Sequence, residues 1–349
     1  MTEGQLNRDA APASALPKLH AYCLPWHTQA SPAFNDILVT PLRHLIHIEL
    51  TSWPPSQNVD FSRPLIFCQI QPPPEILAEP RAKIVWLPMW DNARHFTPGW
   101  WATLPRKNLR IVALSEPVRR DAQRAGLSCL RARFHKDPAD FPPTRWGGAR
   151  TLFYWNRTGL AGREFLERLC QELHIERLIF RQATDPGFES QEYELPARLG
   201  AVEVVNLGKF AEKSAYDTLL REANFYLAPR LYEGVGLTVL EAMCSSCAVL
   251  AHDAPTMNEY ITHRRNGWLF PSIRPPLWRE RLHTSLHRRW PRLTPPVGGA
   301  MSLGLKQDWC TLRETDWAAL GRAAREDQST GHRTWLAQLP ELARFILEW

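Results

Sequence analysis

A glycine loop between a strand and a helix is the feature that most constrains how this chain folds. Residues 224–228 are mostly apolar and predict a strand, which Pro229 ends because proline cannot donate a ladder hydrogen bond. Residues 233–236 include two glycines, and apolar residues then recur at helical spacing over residues 237–243. Such a junction leaves backbone N–H groups and the positive end of a helix dipole at one point. The sequence therefore predicts an anion-binding position there.

Two carboxylates accompany this unit. Glu233 precedes the helix and Glu241 lies roughly one turn inside it, so we expect both to face a ligand at the helix N-terminus. Carboxylates accept hydrogen bonds from neutral hydroxyl groups, whereas the amides and the dipole hold an anion. A nucleotide-sugar combines sugar hydroxyls, a diphosphate and a ribose diol. The alternative is an ordinary strand–loop–helix unit in which Glu233 is solvated and Glu241 lies on the helix surface.

A resemblance to a known family adds to this argument. The segment EGVGLTVLEAM resembles the E-x7-E signature of the retaining GT-B glycosyltransferases of the glycosyltransferase family 4 type. Farther along, Glu259 and the pair Asn266-Gly267 follow in the order that the family has. The resemblance is strong over residues 208–270, weaker over residues 111–162 and nearly absent elsewhere.

The resemblance implies a role for each of these residues. Glu233 would bind hydroxyls of the donor sugar, and Glu241 would bind the ribose hydroxyls. The segment between them would approach the sugar and the diphosphate with its backbone amides. The donor-binding residues implied there are Gly234, Val235, Gly236, Leu237 and Thr238.

Basic residues for the diphosphate are implied at the start of the second domain. In the family, an arginine just after the first strand of that domain and a lysine a few residues later hold the diphosphate. Arg157 matches the first position, and Arg163 is the weaker match for the second. Lys209 follows another predicted strand, where the family places the nucleotide base. The alternative for an arginine at a strand end is an ordinary surface position.

The remaining pattern predicts an α/β fold. Strands are predicted over residues 19–25, 46–50, 64–70, 83–87, 110–114, 151–155, 178–181, 202–207, 224–228 and 248–251, and helices over residues 34–45, 117–126, 163–173 and 320–345. Strands separated by helix-length segments indicate parallel βαβ units, and a length of 349 residues suits two domains. The resemblance implies a GT-B architecture, with two Rossmann-like domains whose parallel sheets face each other across a cleft.

Domain boundaries follow from composition. The proline- and glycine-rich residues 141–148 predict a linker. We expect an acceptor-side domain over residues 1–145 and a nucleotide-sugar-binding domain over residues 146–325. A final helix over residues 326–349 is expected to cross back to the first domain. Residues 273–296 match no pattern.

The acceptor is expected on the first domain, at the carboxyl end of its fourth strand, because ligands of open parallel sheets lie beyond strand ends. Asp91 is the candidate there and His95 the reserve; the alternative is that Asp91 caps a helix. Many family members have a glycine-rich turn after the first strand, but residues 24–32 contain no glycine. Side chains such as His27 replace that turn, or the first domain contacts only the acceptor.

The net charge indicates which class of partner the protein binds. A net charge of +6 and a pI near 9.0 favour anionic partners such as phosphates, anionic lipid headgroups or nucleic acid.

Hydropathy and cysteine usage indicate the compartment. No apolar run approaches the ~20 residues of a membrane span, which predicts a cytoplasmic protein, with peripheral contact to the inner face of the membrane as an alternative. Seven cysteines at irregular spacing indicate reduced thiols. The CxxC of Cys244 and Cys247 has no partner pair and the histidines lack metal-ligand spacing, so we expect no metal and no cofactor.

The resemblance, together with these observations, implies one reaction. A sugar passes from a nucleoside-diphosphate sugar to a hydroxyl group of a glycan or lipid-linked acceptor, with retention, in bacterial surface glycan assembly. Glu233, Arg157 and Asp91 are the catalytic candidates, with Arg157 and the loop amides stabilising charge on the diphosphate. Two alternatives remain open: a nucleic-acid glycosylating enzyme of the same fold, and a non-catalytic nucleotide-sugar-binding module.

Overall fold

The chain forms two compact units. A computed structural model describes residues 16–29, 31, 33–55, 58–185, 189, 192–208, 213–271 and 309–349, with residues 213 and 214 as backbone only. The first unit consists of the chain up to Phe134 together with Gly331–Trp349, and the second consists of His135–Thr330.

The first unit is built on a parallel sheet. Its strands are β1 (Lys18–Cys23), β2 (His47–Ser52), β3 (Leu65–Cys68), β4 (Ile84–Leu87), β5 (Leu109–Ala113) and β6 (Ser128–Arg131). Its helices are α1 (Pro25–Gln29), α2 (Thr40–Leu42), α3 (Pro74–Ala78), α4 (Trp90–Ala93), α5 (Pro98–Ala102) and α6 (Glu116–Arg124). The strands lie in the order β2-β1-β3-β4-β5-β6, and all pairs are parallel. Every residue of β3 and β4 is buried, as strands covered on both faces require.

The second unit has a larger sheet. Its strands are β7 (Thr151–Asn156), β8 (Arg177–Gln182), β9 (Arg198–Leu199), β10 (Val202–Leu207), β11 (Phe225–Leu227), β12 (Ala248–His252) and β13 (Trp268–Phe270). Its helices are α7 (Arg163–Glu172), α8 (Lys213–Glu222), α9 (Leu237–Cys244), α10 (Met257–Tyr260) and the short helix Trp309–Glu314. The strand order is β13-β12-β11-β7-β8-β10-β9, in which β9 alone pairs antiparallel among the described strands.

One long helix, Trp317–Leu347, belongs to both units and is called the C-terminal helix below. Its first part, up to Thr330, packs in the second unit, and the part from Gly331 onward packs in the first. Within the part of the chain that the structure describes, no helix combines the length and the apolar composition that crossing a membrane requires.

Most of the predicted strands and helices are confirmed to within a few residues. The predicted helix over residues 34–45 is confirmed in part, because helical backbone runs from residue 33 to Leu42 and ends three residues early. A π-helical turn, Asn35–Val39, is followed by the three-residue α2. Pro41 has no N–H to donate to the preceding turn, and the wider π turn lies directly before it.

Ser115 stands at the N-cap of α6, but its buried hydroxyl makes no hydrogen bond with the described residues, so its side chain does not cap the helix. The predicted linker, residues 141–148, lies inside the second unit and is packed there. Thr144 donates its amide to the Ser245 carbonyl oxygen at 2.7 Å and its hydroxyl to that of Ala223 at 2.8 Å. Proline and glycine mark irregular backbone, and irregular backbone can still be packed.

Candidate functional site

The loop that joins β11 to α9 is shaped by a glycine. Gly236 is the N-cap of α9 and has φ 76° and ψ 52°, in the left-handed region that residues with a Cβ rarely adopt. A Cβ at this position would also lie 2.4 Å from Cε of Met257. The first N–H groups of α9 have no intrahelical acceptor and belong to the positive end of the helix dipole. The local geometry is therefore that of an anion-binding turn.

Glu233 lies in this loop and is buried, with 6% of its surface exposed. Its Oε2 is 3.5 Å from Nη1 of Arg230. The expectation of a carboxylate close to the helix start is met, and the alternative of a solvated Glu233 is wrong.

Arg157 also has a partner. Its Nε and Nη2 donate to Oδ1 of Asp185 at 2.9 and 2.8 Å. The second oxygen of Asp185 accepts from Nε of Arg230 at 2.6 Å. Asp185 thus joins two guanidinium groups, and Arg230 connects this pair to Glu233. The sequence did not single out Asp185 or Arg230, because only the packing of two loops brings them to Arg157.

Glu241 is buried as well, with 4% of its surface exposed. Its Oε1 pairs with the Lys136 ammonium at 2.9 Å, inside the second unit. The alternative in which Glu241 lies on the helix surface is wrong. No local signal marks Lys136 as a partner, since it precedes β7 and is far from Glu241 in the chain.

The other donor-side candidates are placed differently. Arg163 is exposed and donates from Nε to Glu167 at 2.9 Å, one turn along α7. The Thr238 hydroxyl lies beside the buried Tyr226; burial raises the pKa of Tyr226, and Thr238 opposes that rise. Gly234 and Val235 are buried in the loop, whereas Leu237 is half-buried at the helix start. Lys209 lies outside the described residues.

In the first unit, Asp91 and His27 belong to one group. Asp91 is the second residue of α4, whose N-cap is Met89, and its Oδ1 accepts from the Asn92 amide at 3.1 Å. His27 has 8% of its surface exposed, and its Nε2 lies 2.7 Å from Oε1 of Gln69. Burial lowers the pKa of His27, while the Gln69 hydrogen bond and the Asp91 charge oppose that change. Asp91 and His27, which the sequence offered as separate candidates, are thus close enough for the Asp91 charge to affect the pKa of His27.

Gln69 is the member of this group that the sequence did not reveal. It directly follows β3 and has φ 66°, which is uncommon for a residue other than glycine. A carbonyl oxygen accepts hydrogen bonds, so Gln69 assigns the proton of neutral His27 to Nε2 and leaves Nδ1 as an acceptor. His95, the reserve candidate, is half-buried just beyond α4.

No metal centre is evident among the residues that the structure describes: no three His, Cys, Asp or Glu side chains there are grouped to hold an ion. The expectation of a metal-independent protein remains a prediction.

Comparison with known proteins bears on the fold and on part of the second unit. A family model described as glycosyl transferases group 1 matches residues 185–289. No curated protein matches the sequence. A glycosyltransferase from Rickettsia africae superposes with a TM-score of 0.58 at 13% identity, covering 96% of this chain and 99% of that one. HepE of Anabaena in complex with UDP and glucose gives 0.57 at 14% identity, covering 93% and 99%.

The chain has the GT-B fold. WaaG, a glycosyltransferase involved in lipopolysaccharide biosynthesis, superposes with a TM-score of 0.52 at 14% identity and covers 95% of this chain and 100% of that one. The expected GT-B fold, with two domains built on largely parallel sheets, is thereby confirmed. The segment matched by the family model includes Asp185, Arg230, Glu233 and Glu241.

Proposed function

We propose that this protein is a glycosyltransferase that moves a sugar from a nucleoside-diphosphate sugar to a hydroxyl group, with retention at the anomeric carbon. One observation carries the proposal. Glu233 is buried in the loop before α9 and Glu241 is buried inside that helix, on either side of a helix N-terminus whose first N–H groups lie beyond the regular helical hydrogen bonds. A site with anion donors and hydroxyl acceptors suits a nucleotide-sugar. HepE, whose structure contains UDP and glucose, supports this ligand class.

Each group has a proposed part in the reaction. Glu233 orients the donor sugar through its hydroxyls, and Glu241 accepts hydrogen bonds from the ribose. Arg157 and the amides of the loop before α9 stabilise the charge that develops on the leaving diphosphate. The diphosphate itself takes the proton of the attacking hydroxyl, so no general base and no metal is required. This is the retaining, metal-independent mechanism of the family 4 type enzymes that the sequence resembles.

The acceptor contacts are proposed in the first unit. Asp91 accepts hydrogen bonds, and Gln69 fixes the ring of His27, whose Nδ1 is buried without a partner among the described residues. A glycan or lipid-linked acceptor supplies the attacking hydroxyl. WaaG is a glycosyltransferase involved in lipopolysaccharide biosynthesis, which supports a role for this protein in bacterial surface glycan assembly. In that role the protein would act in the cytoplasm, at the inner face of the membrane.

Incubation with a panel of radiolabelled nucleotide-sugars tests the proposal. We expect slow release of free sugar with one donor, faster transfer when a matching glycan or lipid-linked acceptor is added, and no change with EDTA. Binding of a donor without hydrolysis or transfer would instead establish the non-catalytic module. Label recovered in added DNA or RNA would establish a nucleic-acid glycosylating enzyme, which the net charge of +6 permits.

A further inference from the structure

A second arginine lies beside Arg157 on the ring of Trp155. In the pairing of β7 with β8, Trp155 is directly opposite Arg181. Residues directly opposite each other in paired strands point to the same face, so Trp155 and Arg181 share one face, and Arg157, just beyond the end of β7, lies against the same Trp155 ring. Helix α8 packs on this face with Tyr216, whose ring centroid is 6.3 Å from that of Trp155.

Two guanidinium groups therefore share one indole. The guanidinium carbon of Arg181 is 4.2 Å from the centre of the Trp155 ring and 5.7 Å from that of Tyr216. The guanidinium carbon of Arg157 is 4.8 Å from Trp155. The aromatic rings attract each cation, but the two cations repel each other.

Arg157 has a carboxylate partner and Arg181 has none among the described residues. Asp185 binds both Arg157 and Arg230, and it leaves Nη1 of Arg157 without a hydrogen bond to the described part of the chain. Nε of Arg181 is buried and has no hydrogen-bond partner there. Burial lowers the pKa of Arg181, and the charge of Arg157 adds to that lowering although Tyr216 opposes it. Keeping the Arg181 guanidinium half-buried without a counter-ion among the described residues therefore costs free energy.

A cation kept half-buried without a counter-ion indicates a ligand that brings the anion. Its neighbour Arg157 points to the same ligand, because both guanidinium groups lie on Trp155. The second basic residue that the sequence offered, Arg163, is exposed and engaged with Glu167. Arg181 lies near the carboxyl end of β8, beside Arg157, and its guanidinium has N–H groups to donate.

We propose that Arg181 is a donor-binding residue, and that its guanidinium and that of Arg157 together bind the diphosphate of the nucleotide-sugar. This inference rests on the proposed function for the identity of the ligand. The binding chemistry is that of charge-assisted hydrogen bonds from two planar guanidinium groups to phosphate oxygens. Trp155 and Tyr216 hold Arg181 in position for it.

Calorimetric titration with inorganic pyrophosphate tests the inference. Arg181→Met keeps the length of the side chain and removes its charge, and Arg177→Met makes the same change at the opposite end of β8, where Arg177 pairs with Glu222 at 2.5 Å. We expect Arg181→Met to weaken pyrophosphate binding about tenfold to a hundredfold, and Arg177→Met to leave it unchanged. The melting temperature of ligand-free Arg181→Met should not fall below that of the wild type, since a lone buried charge has been removed.

The outcomes separate this inference from the proposed function. Equal pyrophosphate affinity and an equal donor KM in the wild type and Arg181→Met would overturn the inference, whether or not the enzyme transfers sugar. A lowered melting temperature with unchanged affinity would make Arg181 a packing residue and would also overturn it. Weakened pyrophosphate binding in a protein that turns over no nucleotide-sugar would uphold the anion site and refute the proposed function.

Discussion

At the scale of single residues, the two glutamates of the α9 unit have different electrostatic partners. Glu241 pairs with Lys136 in a buried ion pair, whereas Glu233 lies at the end of a chain of charges that runs through Arg230 and Asp185. Removing one member of a buried ion pair leaves the other charge desolvated. A substitution at Glu241 therefore changes stability as well as donor binding.

Glu241→Gln should lower the free energy of unfolding by on the order of 3 kcal/mol, because the Lys136 ammonium loses this carboxylate in a buried setting. Chemical denaturation measures that loss, and calorimetry with the donor measures a weakened affinity. In the double variant Lys136→Met/Glu241→Gln we expect stability to recover and donor affinity to stay weak. A double variant with wild-type donor affinity would remove Glu241 from the ribose site.

Glu233→Ala should lower kcat by about tenfold to a hundredfold, because a charge-assisted hydrogen bond to the reacting sugar is lost. Single-turnover measurement with saturating donor isolates this step. Glu167→Ala, which removes an exposed carboxylate from α7, is the matched control and should leave kcat unchanged. A Glu233→Ala rate within a factor of two of the parent would contradict the assignment.

His252 gives the protein a dependence on pH. It lies at the end of β12 with 2% of its surface exposed, and burial lowers its pKa to about 4. The unfolded chain takes up this proton near pH 6.5 and the folded chain does not, so stability present above pH 6.5 is lost as the pH falls toward 4. The loss reaches about 3 kcal/mol, from the difference between the two pKa values.

Measuring unfolding free energies from pH 7 to pH 4 checks this expectation. His252→Leu should reduce the fall in stability over that range, while His47→Leu, at an exposed position of β2, should not. An identical pH profile in His252→Leu and the wild type would show that other groups cause the acid sensitivity.

At the scale of elements, α9 is buried on nearly all sides rather than on one stripe. Its residues from Val239 to Cys244 are all buried, Glu241 included. The C-terminal helix contributes to this burial. Arg325 donates to the carbonyl oxygen of Cys244, and Gln328 lies 3.5 Å from the sulfur of Met243. The spacing of apolar residues in the sequence identified α9 as a helix. The C-terminal helix, which packs on α9, also buries polar positions of α9 that the sequence would place at the surface.

Gly321 is where the C-terminal helix comes closest to the turn after α9. A Cβ there would lie 2.1 Å from the carbonyl oxygen of Ser246 and 3.3 Å from the side chain of Trp146. Alanine ordinarily gains about 1 kcal/mol over glycine inside a helix. Here the helix would have to move, so Gly321→Ala should destabilise the second unit by about 1–3 kcal/mol. Thermal unfolding checks this against Gly148→Ala, whose Cβ would meet nothing within 4 Å. A stabilised Gly321→Ala would refute the close contact.

At the scale of the whole molecule, the chain returns to its first unit after completing the second. The stretch Gly331–Trp349 belongs to the first unit. Trp335 is buried there, with its ring 5.6 Å from that of Phe134, and Gln338 donates to the carbonyl oxygen of Arg131. The first unit therefore needs the end of the C-terminal helix for its core.

Trp335→Ala should destabilise the first unit by about 3–5 kcal/mol, the cost of a large cavity in a core. Differential scanning calorimetry should show the transition of the first unit at lower temperature, with the transition of the second unit retained. Leu336→Ala, at the neighbouring position where 47% of the side chain is exposed, should change little. Equal shifts in both variants would contradict this assignment of the helix.

The sequence alone determined the local part of this description. The strand, the two glycines and the helix from Leu237 follow from periodicity and turn chemistry, which act over a few residues. The same signals gave the parallel strands of both sheets. At residues 34–45 the predicted helix forms as far as Leu42, and its π-helical turn, Asn35–Val39, was not predicted.

Only the tertiary structure decided which charges meet. Lys136 with Glu241, Asp185 with Arg157 and Arg230, and Gln69 with His27 are pairs separated along the chain. Arg181 is an ordinary strand residue in the sequence, and the register of β8 against β7 places it on Trp155. Such meetings depend on strand order and on the packing of loops at the sheet edge. Neither is encoded within the few residues over which periodicity and propensity act.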